Sequence, residues 1–573
     1  MVDPVSTIDP AATRTRDPLV IGPVLRYVGA HEATVWVETS RTACVEVRAG
    51  DAVGSEMTFT VAGHTYALVA IRGLRAGTAT PYEIRVDGEL VWPDAASAYP
   101  PSVIRTIDAT RPMRFVYGSC RAPTTVEVKD PLGTGDDVLD AFARRLAGAP
   151  MDEWPEALLL LGDQVYADET SPETQAFIRA RRDVREPPHL QVADFEEYTR
   201  LYAETWGDPD VRWLLSVLPS TMIFDDHDVL DDWNTSRSWR DEITATSWWR
   251  DRIGGALMSY WIYQHLGNLS PDELAANDLY REIRAAADGE SSLRAFAETA
   301  DREPDGGPGI LWSYRRDFGR VRLLVIDSRC GRVLTEGHRQ MVSDPEFDWI
   351  EAQVEDGDYD HLLVATSVPW LLPRALHDLE AADEGLTAGS RGRLVAKLAE
   401  LLRRKVDLEH WAAFGASFER LAALFERIGR GDHGAPPPAT IAVLSGDVHH
   451  TYVSEATLKR PVASRVYQLT CSPLHNSIPL PMRGVFKAAW SGRAERSARA
   501  LLRFARVTPA SITWKTSAGP FFGNHLGALT FHGRDATFEL HHPVKSDAGP
   551  VTELIPEARR DLAAIRPRAE VGA

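Results

Sequence analysis

The sequence predicts a mixed α/β protein led by a small all-β unit. Two patterns carry that reading: short β-rich runs divided by Gly-containing turns fill residues 19–108, and beyond residue 112 strand-like apolar runs alternate with helical stretches. With 573 residues, 44% of them apolar, the chain can bury a large core. Two domains are expected, 19–108 and 112–545, after a disordered lead and before a polar tail, 546–573, that holds one short helix.

The first runs, VLRYV, ATVWVET, CVEVRAG, TYALVAIRGL and YEIRVDG, suit the strands of a small sandwich. They hold no cluster of catalytic residue types, so this unit is expected to pack beside the larger one or shape its entrance, with carbohydrate binding as the functional alternative. Four later apolar runs share a different feature. FVYGSC (115–120), LLLLGDQVYAD (158–168), TMIFDDHDVLDDWN (221–234) and AVLSGDVHHTY (442–452) each end in a burst of metal-ligating residue types. Short apolar runs read as buried strands, and in open α/β sheets ligands gather beyond the carboxyl ends of the strands. Within 374–431, RLVAKLAELLRRKV and ASFERLAALFERIG show helical spacing and predict helices near the site mouth. The Trp-rich segments flanking the DDHD run read as helix core or, through Trp233, Trp239, Trp248 and Trp249, as pocket walls.

The converging residues are Cys120, Asp163, Tyr166, Asp225, Asp226, His227, Asp228, Asp231, Asp232, Asp447, His449 and His450. So many carboxylates in one crevice repel one another unless cations neutralise them, which points to a metal centre. Thiolate, phenolate and imidazole suit a transition metal, and surplus carboxylates suit a hard ion, so a mixed site of two or three ions is expected. Taken singly, Cys120 and Tyr166 also read as packing and the Asp run as a solvated loop or helix N-terminus. The repetition after four strand-like runs favours one site.

GSC, GDQVYAD, DDHDVLDDWN and SGDVHH, in this order across residues 118–450, resemble the alkaline phosphatase D (PhoD-like) family of the calcineurin-like metallophosphoesterases. The resemblance implies a four-layer αββα metallophosphoesterase sandwich, preceded by a small all-β immunoglobulin/fibronectin-III-like domain. It also implies a metal-dependent hydrolase of phosphoric esters, acting on monoesters, diesters or both, with Fe3+ and Ca2+ as cofactors. Carried over by motif, Cys120 would bind iron, Asp163 would bridge the metals and Tyr166 would supply a phenolate. Asp226 would bind the second metal where relatives have Asn, His227 would face the leaving group, and Asp447 and His449 would fill the two places of a GHxH motif. Two departures stand out: Thr366 and Ser367 lie where many relatives carry a metal-binding His, and Asp231 and Asp232 precede Asn234 where the family more often has Asn.

The expected chemistry uses a metal-bound hydroxide as nucleophile, with His227 protonating the departing alkoxide. Arg121 reads either as a phosphate clamp or as a surface ion pair, and Asp327 with Arg329 as an ion pair bracing the site floor. The expected partner is a phosphate-ester small molecule. A phosphodiesterase dedicated to phospholipid or polymer headgroups is the alternative that residues 483–506 favour, since they hold six Arg and one Lys against a single Glu. A catalytically silent phosphate-binding protein is the non-enzymatic alternative, and the retained His227 speaks against it.

A net charge of −19 argues against duplex nucleic acid as partner. Four widely spaced cysteines without a CxxC argue against a zinc finger or disulfide framework. The opening residues show no twin-arginine pair or apolar leader, and no uninterrupted apolar run is long enough to span a membrane, so a cytoplasmic location is expected. No feature sets an oligomeric state.

Overall fold

The computed structural model describes residues 18–123, 136–476, 480–544, 551 and 553–563, which form two compact units. The first contains the described residues up to Asp108 together with Tyr202–Thr221 and Trp261–Phe296. The second contains Ala109–Leu201, Met222–Tyr260 and the chain from Ala297 onward. Residues 1–17 of the expected disordered lead lie outside the described residues.

Nine strands build the first unit: β1 (Leu19–Val28), β2 (Glu32–Thr39), β3 (Cys44–Ala49), β4 (Ala52–Met57), β5 (Phe59–Val61), β6 (His64–Arg72), β7 (Ala79–Val86), β8 (Glu89–Trp92) and β9 (Val103–Arg105). One antiparallel sheet runs β1-β2-β6-β5 and the other β4-β3-β7-β8, with β9 on β7. Alternation drives their packing. In β3, Val45 and Val47 point inward while Glu46 and Arg48 do not, and the two valines share a core with Ile84 of the neighbouring β7 and with Val35 and Val69 of the other sheet. The five predicted runs are β1, β2, β3, β6 and β7; the short polar β4 and the brief β5, β8 and β9 carry no such pattern.

The remaining strands are β10 (Met113–Gly118), β11 (Ala157–Leu161), β12 (Ser220–Ile223, divided between the units at Thr221), β13 (Tyr314–Phe318), β14 (Val321–Ile326), β15 (His361–Thr366), β16 (Thr440–Ser445), β17 (Thr451–Thr457), β18 (Arg465–Thr470), β19 (Thr513–Phe521), β20 (Leu526–His532), β21 (Asp535–Pro543) and β22 (Leu554–Asp561). The six-stranded sheet runs β12-β11-β10-β20-β21-β22, and the seven-stranded sheet β13-β14-β15-β16-β18-β17-β19. β10 and β11 are parallel, as are β14, β15, β16 and β18. Their runs, ALLLL and HLLVAT among them, are buried at every position, as parallel strands covered on both faces must be.

The two sheets lie face to face. Phe115 of β10 meets Phe318 of β13 with ring centroids 4.9 Å apart, and His361 of β15 lies 4.6 Å from Phe531 of β20. The His361 Nε2–H donates to the Gly533 carbonyl across the gap (2.8 Å). Outside the larger sheet, helices Asp344–Glu355 and Gly415–Arg430 bury Phe347, Ile350, Phe418 and Phe425 against β14–β16. Outside the smaller one, helix Val138–Gly148 reaches the β22 edge, where Arg145 donates to the Leu554 carbonyl (3.1 Å). This is the αββα layering that the resemblance implies. Of the expected tail, 546–573, the described residues hold a strand where a short helix was expected: Leu554–Asp561 extends the sheet as β22, because alternate backbone groups of β21 are open to pairing and EARRD keeps charged side chains outward at an edge; most of the rest of the tail lies outside the described residues.

Candidate metal centre

Every predicted site residue follows the carboxyl end of a strand. β10 leads into Cys120, β11 into Asp163, β12 into Asp225–Asp228 and β16 into Asp447; β14, β15 and β18 deliver Asp327–Arg329, Ser367 and Ser472. Two glycines make the convergence possible. Gly162 has φ +109° and a side chain there would approach Asp225 Cβ to 2.5 Å; a side chain at Gly446 would collide with Ser119. Without that collision, the Asp447 N–H donates to Ser119 Oγ (3.2 Å). Among the described residues, eleven other than glycine have positive φ, and seven of them are Cys120, Asp163, Asp232, Asn234, Asp407, Asp447 and His449. Such left-handed backbone costs energy and persists where the surroundings impose it, which is typical of functional sites.

Asp163, Asp225 and Asp226 are buried, and each offers an oxygen within 4.8 Å of the others. Asp163 Oδ1 and Asp225 Oδ2 receive no hydrogen bond. Burial and mutual repulsion push the Asp163 carboxyl well above the usual range; for Asp225, burial outweighs the opposing pull of Arg329. Arg329, fully buried, donates through Nε to Asp225 and lies 3.2 Å from Asp226, 2.5 Å from Glu409 and 3.7 Å from Asp447. A single guanidinium does not balance four carboxylates, and Arg332, also buried, is engaged by Glu409 at 3.0 Å. Orphaned carboxylate oxygens facing one another in a desolvated site fit a bound cation.

His227 lies against this group. Its Nδ1–H donates to the Asp168 carboxylate (3.0 Å to each oxygen), and its ring packs on Tyr166 at 4.9 Å. Burial works against a charged ring, but Asp168 outweighs it and raises the His227 pKa well above its ordinary value. Tyr166 is 2% exposed and its hydroxyl accepts from Asn476 (2.9 Å). The buried Cys120 sulfur lies 3.1 Å from both the Ser119 and Ser472 hydroxyls. Burial first, then the Asp163 charge, pushes both the thiol and the phenol well up. Nearby cations reverse such shifts. Asp447 accepts from His410 Nε2 (2.9 Å), whose Nδ1 meets Glu380 (2.7 Å). Burial holds His449 down to about 4, which keeps its imidazole neutral as a ligand requires.

The remaining converging residues divide. Asp228 is a brace: its carboxylate accepts the backbone N–H groups of Asp163 (2.9 Å), Asp225 (2.9 Å) and Val165 (3.3 Å). His450 is packing, its Nδ1–H donating to Val448 O (2.7 Å) and its ring among Tyr452, Phe486 and Phe522. Asp231 is exposed 3.8 Å from His227, whereas Asn234 is buried with Oδ1 free of donors and Nδ2 donating to Arg329 O (3.1 Å). Asp232 pairs with Asp407, and burial raises it to about 10. Ser367, in place of the absent His, donates to Asp225 (2.9 Å). Neither reading of Arg121 matches its place: the guanidinium is 1% exposed and clasped by Asp137 at 2.8 Å and Asp140 at 3.3 Å. Asp327 does not pair with the Arg329 guanidinium; it caps the N–H groups of Arg329, Cys330 and Gly331 at 2.8–3.0 Å and so fixes the loop that aims Arg329. Sequence reasoning passed over Asp168, Glu409, His410 and Asn476. Asp168 closes the GDQVYAD run; Glu409 and His410 follow a helix with no strand to mark them, and Asn476 stands six residues past the end of β18.

A two-sheet α/β sandwich with under-neutralised buried carboxylates beside a His–Asp pair is an arrangement that suits cation binding. A PhoD-like phosphatase model matches residues 145–508, more than half the chain, so the chain belongs to the PhoD-like phosphatase family and is a phosphoric ester hydrolase. Residues 16–104 match a domain of unknown function, DUF7800. The fold is similar to a solved structure of PhoD at 12% identity and TM-score 0.58, covering 97% of this chain and 94% of that one. A purple acid phosphatase from yellow lupin (Lupinus luteus) seeds matches at 10% identity and TM-score 0.48, covering 94% and 74%. A comparison with curated proteins gives no match.

Proposed function

We propose that this centre hydrolyses phosphate esters with Fe3+ held by Cys120, Asp163 and Tyr166 and Ca2+ held by Asp226 and its neighbours, Asp447 and His449 completing the set. The observation that carries the reading is the buried Asp163–Asp225–Asp226 group with its orphaned oxygens. When bound, the ions offset the charge of the ester and make water acidic enough to serve as nucleophile near neutral pH.

The chain's own residues do the rest. Arg329 eases the repulsion between Asp225 and Asp226 and pulls both toward their charged forms against burial, and Asp225, taken by Arg329 and Ser367 on one oxygen, presents the other. Asp168 orients His227 so that Nδ1 is the fixed N–H and Nε2 faces outward to hold a proton for the leaving oxygen. Substrates are small phosphomonoesters or phosphodiesters. The four cysteines, none in a disulfide, support a reducing compartment such as the cytoplasm; no described helix is long and apolar enough to cross a membrane.

The test is leaving-group dependence. His227→Ala is expected to lose roughly 10²–10⁴ in kcat on alkyl phosphates, far less on nitrophenyl phosphates whose leaving group needs no proton, and to retain its metals. Equal losses on both substrates would remove His227 from the acid role, and lost metal would make it a ligand.

A further inference from the structure

Twelve large apolar side chains are exposed among the described residues, and six of them are Leu394, Leu398, Leu401, Leu402, Val406 and Phe504. Five belong to helix Arg393–Arg403 and the turn after it. This helix has two apolar faces. Val395 and Ala399 join Ala382, Leu386, Leu502 and Ala505 in a small core shared with helices Arg374–Thr387 and Gly492–Ala505. The other face, Leu394, Leu398, Leu401 and Leu402 at i, i+4, i+7 and i+8, is turned to solvent, with Leu394 81%, Leu398 67% and Leu401 66% exposed. A surface helix of a globular domain carries polar residues there, so a contiguous leucine ridge marks an interaction surface.

The rim identifies the occupant. Arg393, Lys397 and Lys405 flank the leucines, and Arg493, Arg496 and Arg503 stand on the adjoining helix. Among the described residues none of these six forms an ion pair, in a chain whose net charge is −19. Arg391 ties the two helices together, its guanidinium 4.6 Å over the Phe504 ring. A second copy of the chain would set this basic rim against itself across a twofold interface. Leucines ringed by unpaired Lys and Arg match instead the boundary of an anionic bilayer, where apolar side chains enter the acyl region and cations meet the headgroups.

We propose that helix Arg393–Arg403, with the basic face of Gly492–Ala505, is a docking surface for an anionic lipid bilayer. Five residues separate the end of this helix from Glu409 and His410, so docking would bring the carboxylate centre toward the headgroup layer. The inference does not rest on the catalytic reading.

Flotation of the full chain with vesicles tests it. The protein is expected to float with vesicles of equal parts phosphatidylcholine and phosphatidylglycerol, to stay behind with phosphatidylcholine alone, and to be released by salt. The double variant Leu398→Ser/Leu401→Ser and the charge reversal Arg493→Glu/Arg496→Glu should each lower the bound fraction roughly tenfold. Both should keep the thermal midpoint and the turnover of a soluble phosphoester, since none of these side chains touches the centre. Failure of the wild type to float, or equal flotation of the leucine variant, overturns the proposal. So does light scattering that shows a wild-type dimer split by the leucine substitutions, which assigns the ridge to a second copy.

Discussion

Arg329 is the residue on which the electrostatics of the centre turn. It is fully buried, and four carboxylates of different strands and loops face it. Removing one partner from such a group leaves charges that neither water nor protein compensates. Arg329→Met is therefore expected to cost roughly 3–5 kcal/mol, measured by urea unfolding in chelator so that metal loss does not contribute. Arg329→Lys should recover only part, because an ammonium cannot serve diverging carboxylates as a planar fork does; full recovery would show that charge alone matters. At this scale legibility was uneven. Asp163, Asp226 and His227 stand out because each lies within three residues of other ligand types after an apolar run. His410 and Glu409 do not: in DLEH they follow an amphipathic helix, and only the fold of the loop turns His410 onto Asp447.

Among the elements, the strands were the most legible and their edges the least. β11, β15 and β16 are buried at every position around an apolar centre, and such runs have few alternatives. β22 was read as tail because its sequence is polar; an edge strand needs backbone pairing more than an apolar face. The join between the two sheets gives a pH prediction. His361 of β15 donates through Nε2 to Gly533 O, so its Nδ1 accepts from the Thr440 hydroxyl (2.8 Å), an arrangement open only to the neutral ring. Burial holds its pKa down to about 4 from an ordinary 6.5. The unfolded chain therefore takes up the proton first. Its contribution is complete above pH 6.5 and is lost as pH falls from there toward about 4, roughly 3 kcal/mol in all. His361→Gln should flatten the fall in unfolding free energy between pH 7 and pH 5, and an unchanged slope would mean that His361 is not what acid attacks.

For the whole molecule, the carboxylate group makes stability depend on bound cations. Ions that bind the folded chain and not the unfolded one add about 2.7 kcal/mol at a hundred times their dissociation constant. Dialysis against chelator should therefore lower the thermal midpoint by several degrees, and readdition of Fe3+ with Ca2+ should restore it; an unmoved midpoint would mean that the carboxylates carry protons instead. The order of strands within each sheet could not be read from sequence, since apolar runs do not say which neighbours they take. β10 illustrates this. One of its partners, β11, follows within forty residues, but the other, β20, pairs Met113 with Phe531. The centre inherits that long reach, because Cys120 stands just after β10 while Asp447, His449, Ser472 and Asn476 come from late in the chain. On the ribosome, then, the early ligand types wait a long time for the late ones. A nascent chain holds Cys120, Asp163 and Asp226 long before Asp447, His449 and Asn476 exist, so the proposed set of ligands comes together only after more than two hundred further residues have been added.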